Sequence, residues 1–271
     1  MDDILKNHYL EILGVEVADP SLELLERIVA AHLIRAPFEN LSKLHRFRID
    51  ESESIPRLED YLDGIERWNL GGTCYANNYH LYTLLDGLGF GIDLCGADMT
   101  NPDVHIVSKV RLKGREYLVD VGYGAPFFGP LPRDLDHKHV IDFGRCRYIL
   151  HPQDDHGRSR LDMLRDGRPT HGYTVKPEPR VIDDFTEVIR DSYRSEAAFM
   201  NAVVAERFFP GRSVRIHNLA LTETEASGAT TSTELHDRAE LIDAIGRHFD
   251  IPAEITRHAI DGLSLDADIY A

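Results

Sequence analysis

The feature that most constrains this chain is a pair of apolar segments on either side of Lys113-Gly114. Residues 104–112 and 115–123 have the composition of β-strands, and Lys113-Gly114 can form a two-residue hairpin turn. A hairpin closed at this turn places Leu112 opposite Arg115, and each step away from the turn pairs the next two residues. Because a one-residue slip would exchange the two faces, the turn predicts which side chains lie together.

The predicted register gives the hairpin two different faces. On one face opposite charges meet at Arg111 and Glu116, and His105 becomes a diagonal neighbour of Asp120, with Cβ atoms within ~7–8 Å. A carboxylate at that distance can orient an imidazole and stabilise its protonated form. A structural hydrogen bond, or two solvent-facing polar residues, would give the same pattern. The other face is mostly apolar and is expected to face the core, with the pairs Val110–Tyr117, Ser108–Val119 and Ile106–Val121.

One cysteine occupies a position that suits a nucleophile. The stretch "NLGGTCYANNY" (69–79) places Cys74 after two glycines and after Thr73, which can cap a helix beginning there. The positive end of a helix favours a thiolate, and a neighbouring imidazole favours it further. The alternative is a small buried apolar side chain, the usual role of a free cysteine. Cys95 and Cys146 lie in predicted strands without a glycine turn and are expected to be structural.

The order of the sequence patterns divides the chain into three parts. Helical periodicity dominates the first ninety residues, where Asp19 is the predicted N-cap of a helix that has Pro20 at its first position. Its apolar stripe comprises Leu25, Ile28, Val29, His32 and Leu33. Further helices are predicted over 57–68 and from Cys74. Beyond the hairpin we expect strands at 91–99, 145–150, 160–165 and 171–176, then helix near 182–209, one or two strands in 212–224 and a helix at 232–249.

Composition restricts the partners. The 271 residues include 46 acidic and 30 basic ones, a formal net charge of −16, which argues against nucleic acid and anionic membranes as main partners. No apolar run approaches the ~20 residues of a membrane helix, and the N-terminus has no secretory pattern. An odd number of cysteines without a CxxC pair suits a reducing compartment. We therefore expect a cytoplasmic protein.

Motifs for other chemistries are missing from the sequence. Histidines cluster at 137–139 and 151–156, but without the spacing of a metal site. Neither phosphate-binding glycine pattern occurs, and no GxSxG is present. We expect no metal and no tightly bound cofactor.

Four segments together resemble the arylamine N-acetyltransferases. They are "RAPFENLSKL" (35–44), "GGTCYANNYHLYTLLDGLGF" (71–90), "HIVSKV" (105–110) and "REYLVDVGYG" (115–124). The resemblance implies an α+β fold with a cysteine-protease-like Cys-His-Asp core. Residues 1–90 would form an N-terminal helical bundle, residues 91–180 a β-barrel-like domain, and residues 181–271 a C-terminal α/β lid.

The resemblance also implies a reaction. Cys74, His105 and Asp120 would be a catalytic triad that transfers an acetyl group from the co-substrate acetyl-CoA, by a ping-pong route, to an aromatic amine, hydrazine or N-hydroxyarylamine. Such activity belongs to xenobiotic metabolism. Three alternatives remain: an amide synthase of the same family acting on a carrier-bound acyl chain, a thiol protease or transglutaminase-like hydrolase, and a non-catalytic ligand-binding homologue. The sequence does not indicate an oligomeric state or CoA-binding residues.

The chain departs from the family pattern RGGxC[FY]E at two positions. Leu70 stands where the family has arginine, and Ala76 where it has glutamate. Replacing a charged pair as a whole costs less than breaking it, so this looks like a coordinated change. Glu39, in the family's PFEN segment, is retained and is expected to have a different partner here. The two changes bear on the acyl donor, the rate and the acceptor.

Overall fold

The computed structural model describes residues 1–265. Its first part is helical, with a two-residue strand β1 (Phe38–Glu39) between the second and third helices. The helices are α1 (Asp3–Leu13), α2 (Leu22–Arg35), α3 (Leu41–Asp50), α4 (Leu58–Trp68) and α5 (Cys74–Gly87). No helix within the described residues has the length and apolarity needed to cross a bilayer.

Helix α2 begins later than the sequence predicted. Its N-cap is Ser21, whose hydroxyl accepts a hydrogen bond from the Leu24 backbone N–H at 3.1 Å, so the assignment of Asp19 as N-cap and Pro20 as first helical residue was wrong. Both Asp19-Pro20 and Ser21 carry N-terminal signals, and the serine is the one that reaches a free backbone donor. The predicted stripe is buried as expected, at Leu25, Ile28, Val29, His32 and Leu33.

The middle of the chain forms an eight-stranded antiparallel sheet that curls into a nearly closed barrel. Its strands are β2 (Gly91–Asp98), β3 (His105–Leu112), β4 (Arg115–Val119), β5 (Leu131–Pro132), β6 (His139–Phe143), β7 (Cys146–Leu150), β8 (Ser159–Arg165) and β9 (Arg168–Val175). The strand order is β5-β4-β3-β2-β9-β8-β7-β6. Strands β4 and β5 near one edge share an apolar cluster with β7, β8 and β9, which fills the barrel interior.

The hairpin between β3 and β4 has the predicted register. Leu112 lies opposite Arg115 and Ser108 opposite Val119, while the ladder ends at Val119, before Asp120. The apolar face packs against the helical bundle, as expected. The opposite face is also buried, because Val107 and other residues on it line the barrel interior. The expectation of a single core face was therefore incomplete, since the bundle and the barrel enclose this hairpin between them.

The last part combines short helices with a second sheet, of order β1-β10-β11-β12-β13. A 3-10 turn at Ile182–Phe185 precedes it. The other elements are α6 (Thr186–Asp191), α7 (Ala198–Asn201), β10 (Val204–Phe209), β11 (Arg212–His217), β12 (Ala220–Glu225), β13 (Thr230–Glu234), α8 (Arg238–Phe249) and α9 (Ala253–Ala259). The paired strands β11 and β12 confirm the strand prediction for 212–224.

Two predictions for this part were wrong in extent. Helix does not continue to residue 209, because Val204–Phe209 pairs with both β1 and β11; a short apolar run cannot be assigned by periodicity alone. The helix predicted over 232–249 begins only at Arg238, and its expected start is the threonine-rich strand β13. Threonine is β-branched, which favours the strand.

The mixed helix-and-sheet fold class is confirmed. Strand β1, which belongs to the helical part of the sequence, forms the edge of the C-terminal sheet by pairing with β10. The first and last parts of the chain are thus joined through a shared sheet. The division at residues 90 and 180 stays a prediction.

Candidate active site

Helix α5 places Cys74 at its first position, as the sequence predicted. Thr73 occupies the N-cap position, although its side chain makes no capping hydrogen bond. The thiol is partly exposed, and its Sγ lies 3.8 Å from the Val104 carbonyl oxygen, one residue before β3. Because the first N–H groups of a helix have no intrahelical acceptor, the backbone around this thiol presents hydrogen-bond donors.

His105 and Asp120 form the predicted pair. Nε2 of His105 lies 2.8 Å from Oδ2 of Asp120, and neither side chain has solvent-exposed surface. Burial by itself lowers the pKa of His105, but the charge and hydrogen bond of Asp120, with a smaller contribution from Cys74, raise it to about 10. Burial would raise the pKa of Asp120, whereas His105 and other hydrogen-bond donors hold it below its ordinary value. Both shifts favour a His105 imidazolium facing an Asp120 carboxylate.

The helix and the hairpin meet closely enough to bring all three side chains together. A Cβ at Gly122 would stand 2.7 Å from the Cα of Cys74, so only glycine lets the end of the hairpin pack on the start of α5. Nδ1 of His105 has no hydrogen-bond partner of ordinary geometry among residues 1–265. The Cys74 thiol is near enough to that imidazole to raise its pKa.

Asn78 is the supporting residue that the sequence analysis missed. Its amide donates to Asp120 Oδ1 at 2.9 Å and to the Ile106 carbonyl at 2.7 Å, and its Oδ1 accepts from the Val121 N–H at 2.8 Å. One buried amide thus ties the carboxylate to both sides of the hairpin. Its position one helical turn after Cys74 was a usable signal, because residues four apart share a helix face.

Lys43 is a second residue near the thiol that sequence reasoning did not single out. Its ammonium group donates to the carbonyl and the hydroxyl of Ser192, at 2.6 and 2.7 Å, and lies over the Tyr193 ring. Burial lowers the pKa of Lys43 to about 8, and the charge of Cys74 opposes that fall. A buried cation is therefore held within electrostatic range of the candidate nucleophile.

The two departures from the family pattern lie in apolar surroundings. Leu70 is buried in a cluster with residues of α3 and the C-terminal sheet, and Ala76 is buried in the core of the helical bundle. Neither position leaves a charge in the interior. Glu39 is also fully buried, and its two carboxylate oxygens accept from the backbone N–H groups of Gly71 and Ser42, at 3.0 and 2.8 Å.

These contacts identify the partner of Glu39 as backbone. Burial raises the pKa of this carboxyl, while the hydrogen bonds from Ser42 and Gly71 oppose the rise. Glu39 thereby connects β1 to the glycine pair that precedes Cys74. The carboxyl holds the loop before Cys74 without a charged partner at position 70.

The other two cysteines lie away from this arrangement. Cys95 is fully buried in the barrel interior, where burial raises the pKa of its thiol to about 11. Cys146 lies in β7 and is partly exposed. Neither has the helix start or the buried imidazole that surround Cys74.

Known proteins share both the sequence pattern and the fold. The N-acetyltransferase family pattern matches residues 21–258. The arylamine N-acetyltransferase of Mycolicibacterium smegmatis is 28% identical over 256 residues, covering 90% of each chain. A solved structure of the M. smegmatis arylamine N-acetyl transferase is similar with a TM-score of 0.79 at 25% identity, covering 98% of this chain and 100% of that one.

A third similarity concerns the fold alone. The Mycobacterium marinum arylamine N-acetyltransferase, solved in complex with CoA, has a TM-score of 0.78 at 23% identity and covers 95% of this chain and 98% of that one. The match over residues 21–258 spans most of the chain, and the named relatives share one enzymatic activity. The chain therefore belongs to the arylamine N-acetyltransferase family and is an acetyltransferase.

Proposed function

We propose that the protein transfers an acetyl group from acetyl-CoA through an acetyl-Cys74 intermediate to an aromatic amine, a hydrazine or an N-hydroxyarylamine. Cys74 is the nucleophile, His105 accepts and donates the proton, and Asp120 orients the imidazole and stabilises its charge. The observation that carries this proposal is the fully buried His105–Asp120 pair beside a thiol at a helix start. We also propose that the protein works in the cytoplasm, in the metabolism of xenobiotic amines.

The first half-reaction forms the thioester on the enzyme. His105, as the imidazolium, already holds the proton that Cys74 has given up, and the Cys74 thiolate attacks the carbonyl carbon of acetyl-CoA. The negative charge that develops on the carbonyl oxygen is stabilised by backbone N–H groups at the start of α5, including that of Cys74. The carbon–sulfur bond to CoA breaks, CoA takes up a proton from His105, and acetyl-Cys74 remains.

The second half-reaction consumes the acetyl-enzyme. The amine nitrogen attacks the thioester carbon of acetyl-Cys74, and His105 accepts the proton that the amine loses. The bond to Sγ breaks, so the acetylated amine leaves and the pair of Cys74 thiolate and His105 imidazolium is restored. Water has to be excluded during this step, and the C-terminal region is the part of the chain that we assign as the lid.

Acetyl-CoA is a co-substrate in this scheme and not a resident group. The M. marinum relative has been solved with CoA bound, which supports CoA as the donor's carrier here. The sequence has neither of the glycine-rich phosphate-binding motifs.

Intact-protein mass spectrometry after incubation with a panel of acyl-CoAs tests the proposal. Acetyl-CoA should add one acetyl group, which a Cys74→Ala variant should not acquire and a Cys146→Ala variant should acquire normally. An enzyme that accepts only bulky thioesters would be the amide synthase. No adduct with any acyl-CoA would contradict acyl transfer through cysteine.

A further inference from the structure

One carboxylate beside the site has no role in the chemistry described above. Glu206 lies in β10, directly opposite Phe38 of β1, so the two side chains are on the same face of the sheet. Phe38 also makes a β-bridge to Gly72, two residues before Cys74. Strand β1 thus connects the strand of Glu206 to the loop that carries the nucleophile.

A second connection comes from the end of the hairpin. A Cβ at Gly124 would lie 3.3 Å from Oε2 of Glu206 and 3.7 Å from the ring of Phe38. Gly124 has a φ of +71°, which suits glycine. The residue before it, Tyr123, packs edge-on against His105 with ring centroids 5.8 Å apart. The carboxylate and the Phe38 ring therefore converge on the turn that also borders the catalytic imidazole.

Among residues 1–265, the carboxylate of Glu206 accepts no hydrogen bond, and no basic nitrogen lies within ion-pair distance of it. Burial raises its pKa, and the charges of Arg165 and of Arg215, which lies directly opposite Glu206 in the β10–β11 ladder, oppose that rise. The Glu206 side chain is half-buried, so its carboxylate loses part of its hydration, and a carboxyl perturbed in this way is a candidate functional group.

The surroundings indicate which ligand would supply the partner. Phe38 packs edge-to-face with Phe199, with centroids 5.8 Å apart, so an aromatic wall stands beside the carboxylate. An aromatic ring can pack on this wall while a cation attached to the ring meets Glu206. An amidinium group can make two parallel charge-assisted hydrogen bonds to one carboxylate.

We propose that Glu206 is an acceptor-recognition residue that selects aromatic amines bearing a second, cationic nitrogen group on the ring. The inference rests on the proposed function, because it assumes that an aromatic amine enters beside acetyl-Cys74. The ring packs against Phe38, the reacting amine is directed to Cys74 and the cationic group pairs with Glu206. A ring carboxylate at the same place is repelled, so carboxylated arylamines are poor acceptors.

Three acceptors of similar shape test this selection: 4-aminobenzamidine, which is cationic, 4-aminobenzamide, which is neutral, and 4-aminobenzoate, which is anionic. In Glu206→Gln we expect kcat/KM for the amidine to fall about 10- to 100-fold, which corresponds to the free energy of a hydrogen bond to a charged group. The amide should change less than about 3-fold and the benzoate should improve. Glu206→Asp should keep part of the amidine preference, and Glu234→Gln, which removes an exposed carboxylate from the same sheet, should change nothing.

Two further measurements separate this inference from the proposed function. Acetylation of Cys74 by acetyl-CoA should be unchanged in Glu206→Gln, and its absence in the unmodified protein would count against the proposed function alone. Calorimetric binding of 4-aminobenzamidine needs no turnover and should weaken at least about 10-fold in Glu206→Gln. Equal use and equal binding of amidine and amide by the unmodified protein, or an equal loss for all three acceptors in the variant, would overturn the role of Glu206.

Discussion

Two regions of the molecule bury histidine almost completely and give it opposite proton affinities. At the hairpin, His105 faces Asp120 and its pKa rises to about 10. In the helical bundle, His32 meets the hydroxyls of Tyr9 and Tyr61, at 2.9 and 3.1 Å, and burial together with neighbouring His80 lowers its pKa to about 3. Burial is the same in both places, so the nature of the partner decides whether the buried imidazole is charged or neutral.

The two regions should limit stability at opposite ends of the pH scale. His105 has a raised pKa, so its contribution is full below the ordinary value of about 6.5 and is lost as pH rises through about 10. His32 and His80 have lowered pKa values of about 3, so the stability due to their neutral state is present above pH ~6.5 and is lost as pH falls toward 3.

The largest effect is expected where the charged pair is broken. Asp120→Asn keeps the shape of the side chain but removes the charge that sustains the His105 imidazolium. We expect acetyl transfer and Cys74 alkylation near neutral pH to slow by on the order of 10³- to 10⁴-fold. The pKa of His105, followed by NMR, should fall, since burial would then dominate.

A matched control is Asp142→Asn, which removes an exposed carboxylate that pairs with Arg147 on the β6–β7 hairpin. It should leave both rates unchanged. Circular dichroism checks that Asp120→Asn is folded, because breaking a buried pair can cost about 3–5 kcal/mol. A folded Asp120→Asn protein with normal alkylation kinetics would show that His105 does not depend on this carboxylate.

An intermediate effect is expected in the bundle. The His80 ring stacks on Tyr61 with centroids 4.4 Å apart, and the Pro56 carbonyl approaches it without completing a hydrogen bond of ordinary geometry. His80→Phe should keep the stack and remove the titration. Between pH 6.5 and 4.5, a histidine with so low a pKa lowers the free energy of unfolding by about 2–3 kcal/mol. His80→Phe should not show this part of the acid destabilisation.

Urea unfolding at the two pH values measures the change directly. The exposed histidine variant His156→Gln should lose stability on acidification as the unmodified protein does. An unchanged acid slope in His80→Phe would mean that His80 is not held neutral in the folded state, and the contrast with His105 would then fail.

The smallest effect is expected at Lys43, whose ammonium group belongs neither to the His105–Asp120 pair nor to the histidines of the helical bundle. Lys43→Met keeps the length of the side chain and removes the cation near Cys74. We expect Cys74 alkylation at pH 7 to slow about three- to ten-fold, near 1 kcal/mol, the size of a partly screened charge interaction. The exposed variant Lys138→Met should show no change, and an equal effect in both would assign the slowing to net charge.

The features of the site that the sequence predicted depend on patterns of a few neighbouring residues. The turn at Lys113-Gly114 sets the register of β3 and β4, and a period of two residues then places His105 and Asp120 on one face. The glycines before Cys74 likewise indicated a helix start within a few residues. The wrong predictions also concern short segments. Residues 204–209 and 230–234 are too short for periodicity to separate helix from strand. Pairing with β1, β11 and β12 makes both segments strands.

The surroundings of Cys74 depend on segments that are far apart in the chain. Asn78 contacts Asp120 only because α5 packs across the hairpin. Lys43 is held near Cys74 by its hydrogen bond to Ser192, which lies 149 positions farther along the chain. No pattern within α3 predicts that partner. Glu206 is likewise brought beside the site by β1, a strand of two residues that sequence periodicity cannot detect.

By itself, then, the sequence determined the hairpin register, the helix start at Cys74 and the pairing of an imidazole with a carboxylate, because turns and periodicity act over a few residues. The tertiary structure alone decided that the hairpin is buried on both faces and that Leu70 and Ala76 enter two separate apolar clusters. It also decided that the pKa of His105 is raised and that of His32 is lowered. These outcomes depend on which desolvated groups meet across the fold, and long-range packing sets those meetings.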